Sequence, residues 1–246
     1  MRVTRPGFLL FGGLLLAATA LLRLDAAYPR TISFSGTSWS VKTGARKVGP
    51  GPNFFSDSAS NVWTDAQGRL HLKITKTKNK WSCAEVVSQA SFGYGTYRFY
   101  LDSPVDALDR YVVLGLFTWN DDAAYNHREI DIEMARWGAA ANQNAQYVVQ
   151  PYTLASNIVR FDQPAVAQST HSFAWTPGNV FAQSLKGLTA TPDATNVIQQ
   201  WTCTTGIPVA GGENARMNLW LYQGHAPSNG QAAEVIVNRF EFVPAG

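Results

Sequence analysis

Residues 128–133 read Arg128-Glu129-Ile130-Asp131-Ile132-Glu133, so that three carboxylates and two isoleucines alternate over five positions. On an extended strand successive side chains point to opposite faces, which puts all three acids on one face and both isoleucines on the other. Burial of Ile130 and Ile132 fixes that register, since a slip of one residue would turn the acids into the core. Like charges about 6.6 Å apart along a strand repel one another, and folding alone gives no reason to collect them. Grouped carboxylates can act as nucleophile and as general acid or base. Glu129 and Glu133 stand about 13 Å apart at the backbone, and side chains leaning inward bring their carboxyls to roughly 5–6 Å. At that spacing one can attack a sugar's anomeric carbon while the other protonates the leaving oxygen. Asp131 between them raises the pKa of a neighbouring glutamate, and the three titrate as a set. The spacing by itself leaves a solvated strand face, or part of a cation site, as alternatives.

The elements that must hold these acids read as strands. Leu70, Leu72 and Ile74 alternate with His71, Lys73 and Thr75, and Tyr97, Phe99 and Leu101 alternate with Arg98 and Tyr100. Period two marks half-buried strands. Further strands are expected over 111–119, 128–134, 146–150, 172–175, 217–222 and 235–243. Gly49-Pro50-Gly51-Pro52, Ala66-Gln67-Gly68, Thr176-Pro177-Gly178 and Gly211-Gly212 supply turns between them. No amphipathic helix exceeds about three turns by the period test, and no repeat or low-complexity segment is evident. The expected fold class is all-β, two packed antiparallel sheets.

Arg2 and Arg5 precede an apolar run over residues 7–22, flanked by Arg23, with small residues at Ala18-Thr19-Ala20 and Asp25-Ala26-Ala27. This reads as an export signal over 1–27, cleaved near Ala27, leaving one domain over 28–246 in a secreted or periplasmic protein. The alternative is an uncleaved anchor, because the run is only slightly shorter than the roughly 17–25 residues that span a bilayer. No later run approaches membrane length. With 20 Lys and Arg against 17 Asp and Glu, the chain lacks the basic footprint of a nucleic-acid partner. Its dense basic stretch, residues 73–80, alternates with Ile and Thr and reads as one solvated strand face. Cys83 and Cys203 have no C-x-x-C partner or neighbouring histidine and make no zinc site. In an oxidising compartment they are expected to form one disulfide worth about 2–4 kcal/mol, two separate buried thiols being the alternative. No G-x-S-x-G elbow, H-E-x-x-H or phosphate-binding loop occurs.

Glu129-Ile130-Asp131-Ile132-Glu133 resembles the active-site strand of glycoside hydrolase family 16, in the form carried by bacterial lichenases, the β-1,3-1,4-glucan endohydrolases. Cys83-Ala84-Glu85, Phe92-Gly93-Tyr94-Gly95-Thr96-Tyr97, Leu116-Phe117-Thr118-Trp119, residues 171–178, Met217-Asn218-Leu219-Trp220 and residues 235–242 are similar to family segments and follow in the family's order. The resemblance covers residues 60–243. It implies a concanavalin A-like jelly-roll β-sandwich of two antiparallel sheets with an open cleft, Glu129 as nucleophile, Asp131 as helper and Glu133 as acid/base. Glu85, Trp119, Asn218 and Trp220, and with them Asn53, fall where family members grip sugars. Indole faces can cover the apolar side of a pyranose while Glu85 and Asn218 hydrogen-bond its hydroxyls. Trp39, Trp63, Trp175 and Trp201 are left to the core or its edges.

The departures from the lichenase pattern fall in the glycone half of the cleft. Val87 stands where lichenases have arginine, His127 where they have tryptophan, and Val148 where they have a binding asparagine. Phe54 and Phe55 occupy the region of the lichenase disulfide partner, which leaves Cys203 as the other cysteine for Cys83. His127, beside the nucleophile, is either structural or a contact to a sugar hydroxyl or an acidic sugar. No cofactor is needed for catalysis, and the resemblance admits a structural calcium with backbone ligands. The expected activity is that of a monomeric, retaining, endo-acting β-glycan hydrolase on a polysaccharide, without nucleic-acid or membrane partners after signal removal. The same double displacement supports transglycosylation. A non-catalytic glycan-binding module on the same fold, and a surface protein held by its N-terminal anchor, are the competing readings.

Overall fold

The computed structural model describes residues 26–246, and nearly all of the expected export signal lies outside them. Two antiparallel sheets pack face to face, their strands numbered in chain order. The first runs, in spatial order, β1 (Ala27–Phe34), β2 (Thr37–Thr43), β6 (Ala84–Ser91), β15 (Asn214–Leu221), β8 (Val112–Trp119), β9 (Ile130–Met134), β10 (Ala145–Val149) and β11 (Ile158–Phe161). The second runs β14 (Val197–Cys203), β13 (Asn179–Lys186), β12 (Ser169–Thr176), β7 (Gly95–Leu101), β16 (Ala233–Pro244), β4 (Leu70–Thr77) and β3 (Val62–Thr64), with β5 (Lys80–Ser82) paired to β4. These are the two packed antiparallel sheets expected from the alternation, arranged as the jelly-roll sandwich that the resemblance implied. No helix among the described residues is long and apolar enough to cross a membrane.

The core lies between the sheets and is built from one face of each strand. On the first sheet Val41, Val86, Met217, Leu116 and Ile132 point inward, all buried. From the second sheet come Tyr97, Phe99, Phe173, Val235 and Val237. Tyr97 and Phe173 stack at 4.8 Å, and Trp39 meets Phe240 edge-on at 5.3 Å. Trp39 and Trp175 are fully buried core residues, as expected, and Trp63 stacks on His71 at 4.4 Å. The strands that sequence reading passed over include the outer ones. Along β14 only Cys203 is buried, and β1 buries only Ile32 and Phe34. Edge strands wetted on both faces lose the alternation by which a strand is recognised.

The expected disulfide does not form: Cys83 and Cys203 are both free and buried. Cys83 follows β5, beside β4, and bridges to Phe55. Cys203 ends β14 at the far edge of the second sheet, its Sγ 3.6–3.7 Å from Thr205 O, Ser156 O and Asn157 Oδ1. Five strand spacings separate β14 from β4, about 24 Å at 4.8 Å each, against the roughly 4.4–6.8 Å between Cα atoms that a disulfide requires. Burial pushes the Cys83 thiol up to about 12, leaving it unreactive at neutral pH.

Candidate active site

Antiparallel register converts the sequence into rows across the exposed face of the first sheet. One row runs Glu85, Asn218, Gly115, Glu133, Gln146 and Arg160 on β6, β15, β8, β9, β10 and β11. The next runs Val87, Arg216, Phe117, Asp131, Val148 and Ile158. Glu129 is extended (φ −87°, ψ 121°) immediately before β9, and Trp119 ends β8. All three acids therefore share one face, while Ile130 and Ile132 lie in the core at 1% exposure each. A cavity of ≈ 390 Å³ opens over these rows. Its walls contain Glu85, Trp119, Glu129, Asp131, Glu133, Asn218 and Trp220, together with Lys42, Arg216 and Tyr28, which sequence reading had not singled out.

Among the described residues the three acids form no ion pair; amide donors serve Glu133 and Asp131 instead. Gln146 Nε2 donates to Glu133 Oε2 at 2.7 Å, and Arg160 Nε donates to Gln146 Oε1 at 3.2 Å. Gln150 Nε2 lies 3.5 Å from Asp131 Oδ2. Burial pushes Glu129 up to about 8, and the Glu133 charge adds to this. Asp131 is driven well above the carboxylate range by burial and then by both glutamates. Burial raises Glu133 to about 7 against the pull of Gln146 and Arg160. Asp131 and Glu129 are hydrogen-bonded to each other, an interaction that raises the aspartate and lowers the glutamate. A proton on Asp131 directed at Glu129 favours the glutamate's ionised form, against the burial that pushes Glu129 up.

Glu85 meets the opposite environment in the same cavity. At 1% exposure it accepts from Lys42 Nζ on both carboxylate oxygens at 3.0 Å. Arg216 Nη1 lies 3.6 Å from its Oε1, and Asn218 Nδ2 donates to its Oε2 at 3.3 Å. Lys42 also donates to Gly49 O at 2.8 Å, tying the wall formed by Val48, Gly49 and Pro50 to the sheet. The arginine missing at position 87 is thus answered from the neighbouring strand, because Arg216 pairs directly opposite Val87.

A left-handed turn aims Glu129. Tyr125, Asn126, His127 and Arg128 all have positive φ, 52° to 62°, a conformation costing roughly 1–2 kcal/mol per L-residue. The turn is pinned on several sides. Asn120 N donates to His127 O at 2.7 Å, and Thr118 Oγ1 donates to Arg128 O at 2.8 Å while accepting from Ile130 N at 3.2 Å. Arg128 Nε reaches Val209 O at 2.9 Å. The strand expected from residue 128 therefore begins two residues later, at Ile130.

Two expected sugar contacts fall outside the cavity walls. Asn53, 3% exposed, spends both amide protons on Pro50 O (2.9 Å) and Leu221 O (2.8 Å), and so shapes the 48–53 loop. His127 stacks on Trp119 at 4.0 Å, nearly parallel, with Nδ1 2.9 Å from Asn120 O. It props the indole from behind; Trp119 Nε1 donates to Asp121 Oδ1 at 3.0 Å. Lys42, Arg216, Gln146 and Gln150 went unnoticed. The alternation Gln146-Tyr147-Val148-Val149-Gln150 does put both glutamines on the acids' face, and was the one signal available for them. Among the described residues no group of three or more His, Cys, Asp or Glu side chains could hold a metal ion.

No protein-family model matches the chain, and no curated protein matches it. Solved structures share its fold. The β-glucanase of Bacillus licheniformis superposes with TM-score 0.61 at 22% identity, covering 90% of this chain and 99% of that one. A prokaryotic β-1,3-1,4-glucanase (lichenase) from a mouse hindgut metagenome gives 0.59 at 19%, covering 84% and 93%. A Mycobacterium tuberculosis protein described as an immunostimulatory antigen and pseudo β-1,3-glucanase gives 0.62 at 16%, covering 85% and 91%. At these identities the likeness establishes a β-glucanase fold over nearly the whole domain.

Proposed function

We propose that this protein is a retaining, endo-acting β-glycan hydrolase, exported to the periplasm or the medium. The reading rests on one observation: Glu129, Asp131 and Glu133 lie on one face of a cleft, Asp131 buried and the two glutamates half-buried, all three pushed toward their protonated forms and, among the described residues, none of them in an ion pair. Such a set is costly to fold and useful for moving protons. Protonated Asp131 donates to Glu129 and holds it as the nucleophile. Glu129 attacks the anomeric carbon, and the bond from that carbon to the leaving oxygen breaks as Glu133 gives the oxygen its proton. Glu133, now ionised, takes a proton from water. The resulting hydroxide equivalent displaces Glu129 from the sugar, restoring both carboxyls. An acceptor sugar in place of that water gives transglycosylation. Gln146 holds one oxygen of Glu133, leaving the other to face the leaving group. Trp119 and Trp220 supply apolar faces for pyranose rings, and Asn218 supplies hydrogen bonds.

The test compares the purified mature protein with Glu129→Gln on mixed-linkage, β-1,3-linked and algal β-glycans, scoring reducing ends. Release by the wild type and none by the variant supports hydrolysis and identifies the glycan. Glycan binding by both without release moves the protein to the non-catalytic glycan-binding class.

A further inference from the structure

The basic stretch over residues 73–80 does not stay on one strand. β4 and β5 pair Lys76 with Trp81 and Thr77 with Lys80, and the chain reverses at Lys78 and Asn79, where Lys78 takes φ 56°. Lys73 is neutralised by Glu234 at 2.8 Å. Lys76, Lys78 and Lys80, and with them Lys47 beyond the end of β2, form no ion pair among the described residues. This hairpin, the segment around Lys47 and the turn after β15 enclose a second cavity, of ≈ 710 Å³, within the range of about 300–1,000 Å³ common to ligand sites. Lys47, Lys78 and Lys80 line it together with Phe54 and Trp81, and no Asp or Glu does. Ammonium groups gathered round one cavity without an acid in its walls raise the local potential and favour an anion.

The walls are braced. Val48 and Asn53 exchange backbone hydrogen bonds at 2.7 and 3.0 Å, Cys83 N donates to Phe54 O at 2.8 Å, and Asn53 Nδ2 donates to Leu221 O at 2.8 Å. Gly224, at φ 70°, comes so near that a Cβ on it would lie 2.5 Å from Pro52 O. Phe54 and Trp81 are half-buried. Lys47 Nζ and Lys80 Nζ stand 6.0 and 4.7 Å from the centre of the Phe54 ring, and Lys76 Nζ stands 5.5 Å from that of Trp81. Each ring therefore has an ammonium beside it, which offers the apolar face of a pyranose and an anionic substituent their partners together. The cavity also shares a wall with the cleft. Val48, Gly49 and Pro50 line the cleft cavity and Lys47, Pro52 and Phe54 the second one, while Trp220 lines the first and Leu221 the second.

We propose that this second cavity binds an acidic polysaccharide, Lys47, Lys78 and Lys80 taking its carboxylate or sulfate groups and Phe54 and Trp81 its sugar rings. The choice of a polysaccharide among polyanions rests on the hydrolase reading of the neighbouring cleft; the cationic site does not. A polymer held there keeps the cleft close to the glycans around it and raises their effective concentration.

The experiment measures, by calorimetry, binding of an oligogalacturonate, a sulfated galactan oligosaccharide and inorganic polyphosphate. The proteins are the mature wild type, Lys47→Gln/Lys78→Gln/Lys80→Gln and Phe54→Leu, each checked by thermal unfolding. The wild type should bind at least one acidic sugar, and the one bound tells carboxylate from sulfate recognition. The triple variant, which replaces exposed side chains, should weaken that binding roughly 10-fold. Salt at about 1 M, where screening acts beyond about 3 Å, should weaken it likewise. Phe54→Leu should weaken the sugar several-fold and leave polyphosphate unchanged, and the triple variant should cleave a neutral β-glucan at the wild-type rate. No binding of either acidic sugar, or equal binding by the triple variant, would overturn the inference and leave the hydrolase reading standing. Polyphosphate bound as tightly as the sugars, with Phe54→Leu indifferent to both, would overturn it too, since the site then recognises charge without sugar. Acidic-sugar binding lost in the triple variant, in a protein that cleaves no neutral glycan, would support the site and sink the hydrolase reading alone.

Discussion

The cleft buries carboxylates in two places and treats them oppositely. At Glu85 the charge is kept and answered by cations, with Lys42 on both oxygens and Arg216 beside it. At Glu129, Asp131 and Glu133 no cation touches the acids, and burial is answered by protons, which raises all three. An ion pair is a poor acid and a poor base, but a stable anchor. Carboxyls that hold their protons loosely near neutrality can transfer them. Two strands, β15 and β8, separate these environments, so that one sheet face supports both a rigid grip and a reactive centre.

The contrast breaks most completely at the reactive centre. Glu133→Gln removes the proposed proton donor while keeping an amide that Gln146 can still reach, and kcat should fall about 10²- to 10⁴-fold with little change in KM. Steady-state kinetics on the cleaved glycan check this. Equal losses in substrate binding would instead assign Glu133 to the grip.

At the anchor, Lys42→Met should leave activity a secondary concern, because it strands the Glu85 carboxylate in the protein interior. Removing one partner of a buried pair typically costs about 3–5 kcal/mol. Urea unfolding measures the loss. The double variant Lys42→Met/Glu85→Leu should recover most of it, since no uncompensated charge remains. If the single variant unfolds at the wild-type urea concentration, Arg216 alone suffices as counter-charge.

Protonation gives the acids a signature that pH can reveal. Glu129 and Glu133 have folded pKa values near 8 and 7, above the ordinary 4.5. Between those limits the folded state holds more protons than the unfolded one, so stability must fall as pH rises through that window. The contribution is fully present below about pH 4.5 and gone above about pH 8. Each proton retained steepens the slope by about 1.4 kcal/mol per pH unit. Urea midpoints at pH 5 and pH 8 should diverge in the wild type and converge in the Glu129→Gln/Asp131→Asn/Glu133→Gln variant. A wild-type slope as flat as the variant's would mean that the acids are solvated.

Sequence made one of these regions legible and left the other dark, for a physical reason. The acids lie on one strand, and period two alone put Glu129, Asp131 and Glu133 on one face and Ile130 and Ile132 in the core. The anchor is assembled across strands: Lys42 comes from β2, Glu85 from β6, Arg216 and Asn218 from β15. Which residues oppose one another depends on register, which no single strand encodes. Val87 read as a lost arginine because the replacement sits 129 positions away in the chain, directly opposite it in the sheet. The expected Cys83–Cys203 bridge failed likewise, since export favours disulfides in general but strand order decides which thiols can meet. Asn53 and His127, expected as sugar contacts, fall outside the walls of the cleft cavity, where hydrogen-bond saturation and the Trp119 stack make them supports.

The left-handed turn before Glu129 allows the finest test of how the reactive centre is aimed. Asn126 is exposed and its φ is 52°, so changing it alters backbone preference with little else. Asparagine tolerates this region, alanine does not, and glycine visits it freely. Asn126→Ala should therefore cost about 1 kcal/mol in urea unfolding, and Asn126→Gly should stay within about 0.5 kcal/mol of wild type. Activity should follow a different order. If the pins at Thr118, Asn120 and Val209 fix the turn, both variants keep kcat, because Glu129 is held from its flanks. If kcat falls in Asn126→Gly while stability does not, the handedness of residue 126 itself directs the proposed nucleophile, and the reactive centre is held less firmly than the Glu85 anchor three strands away.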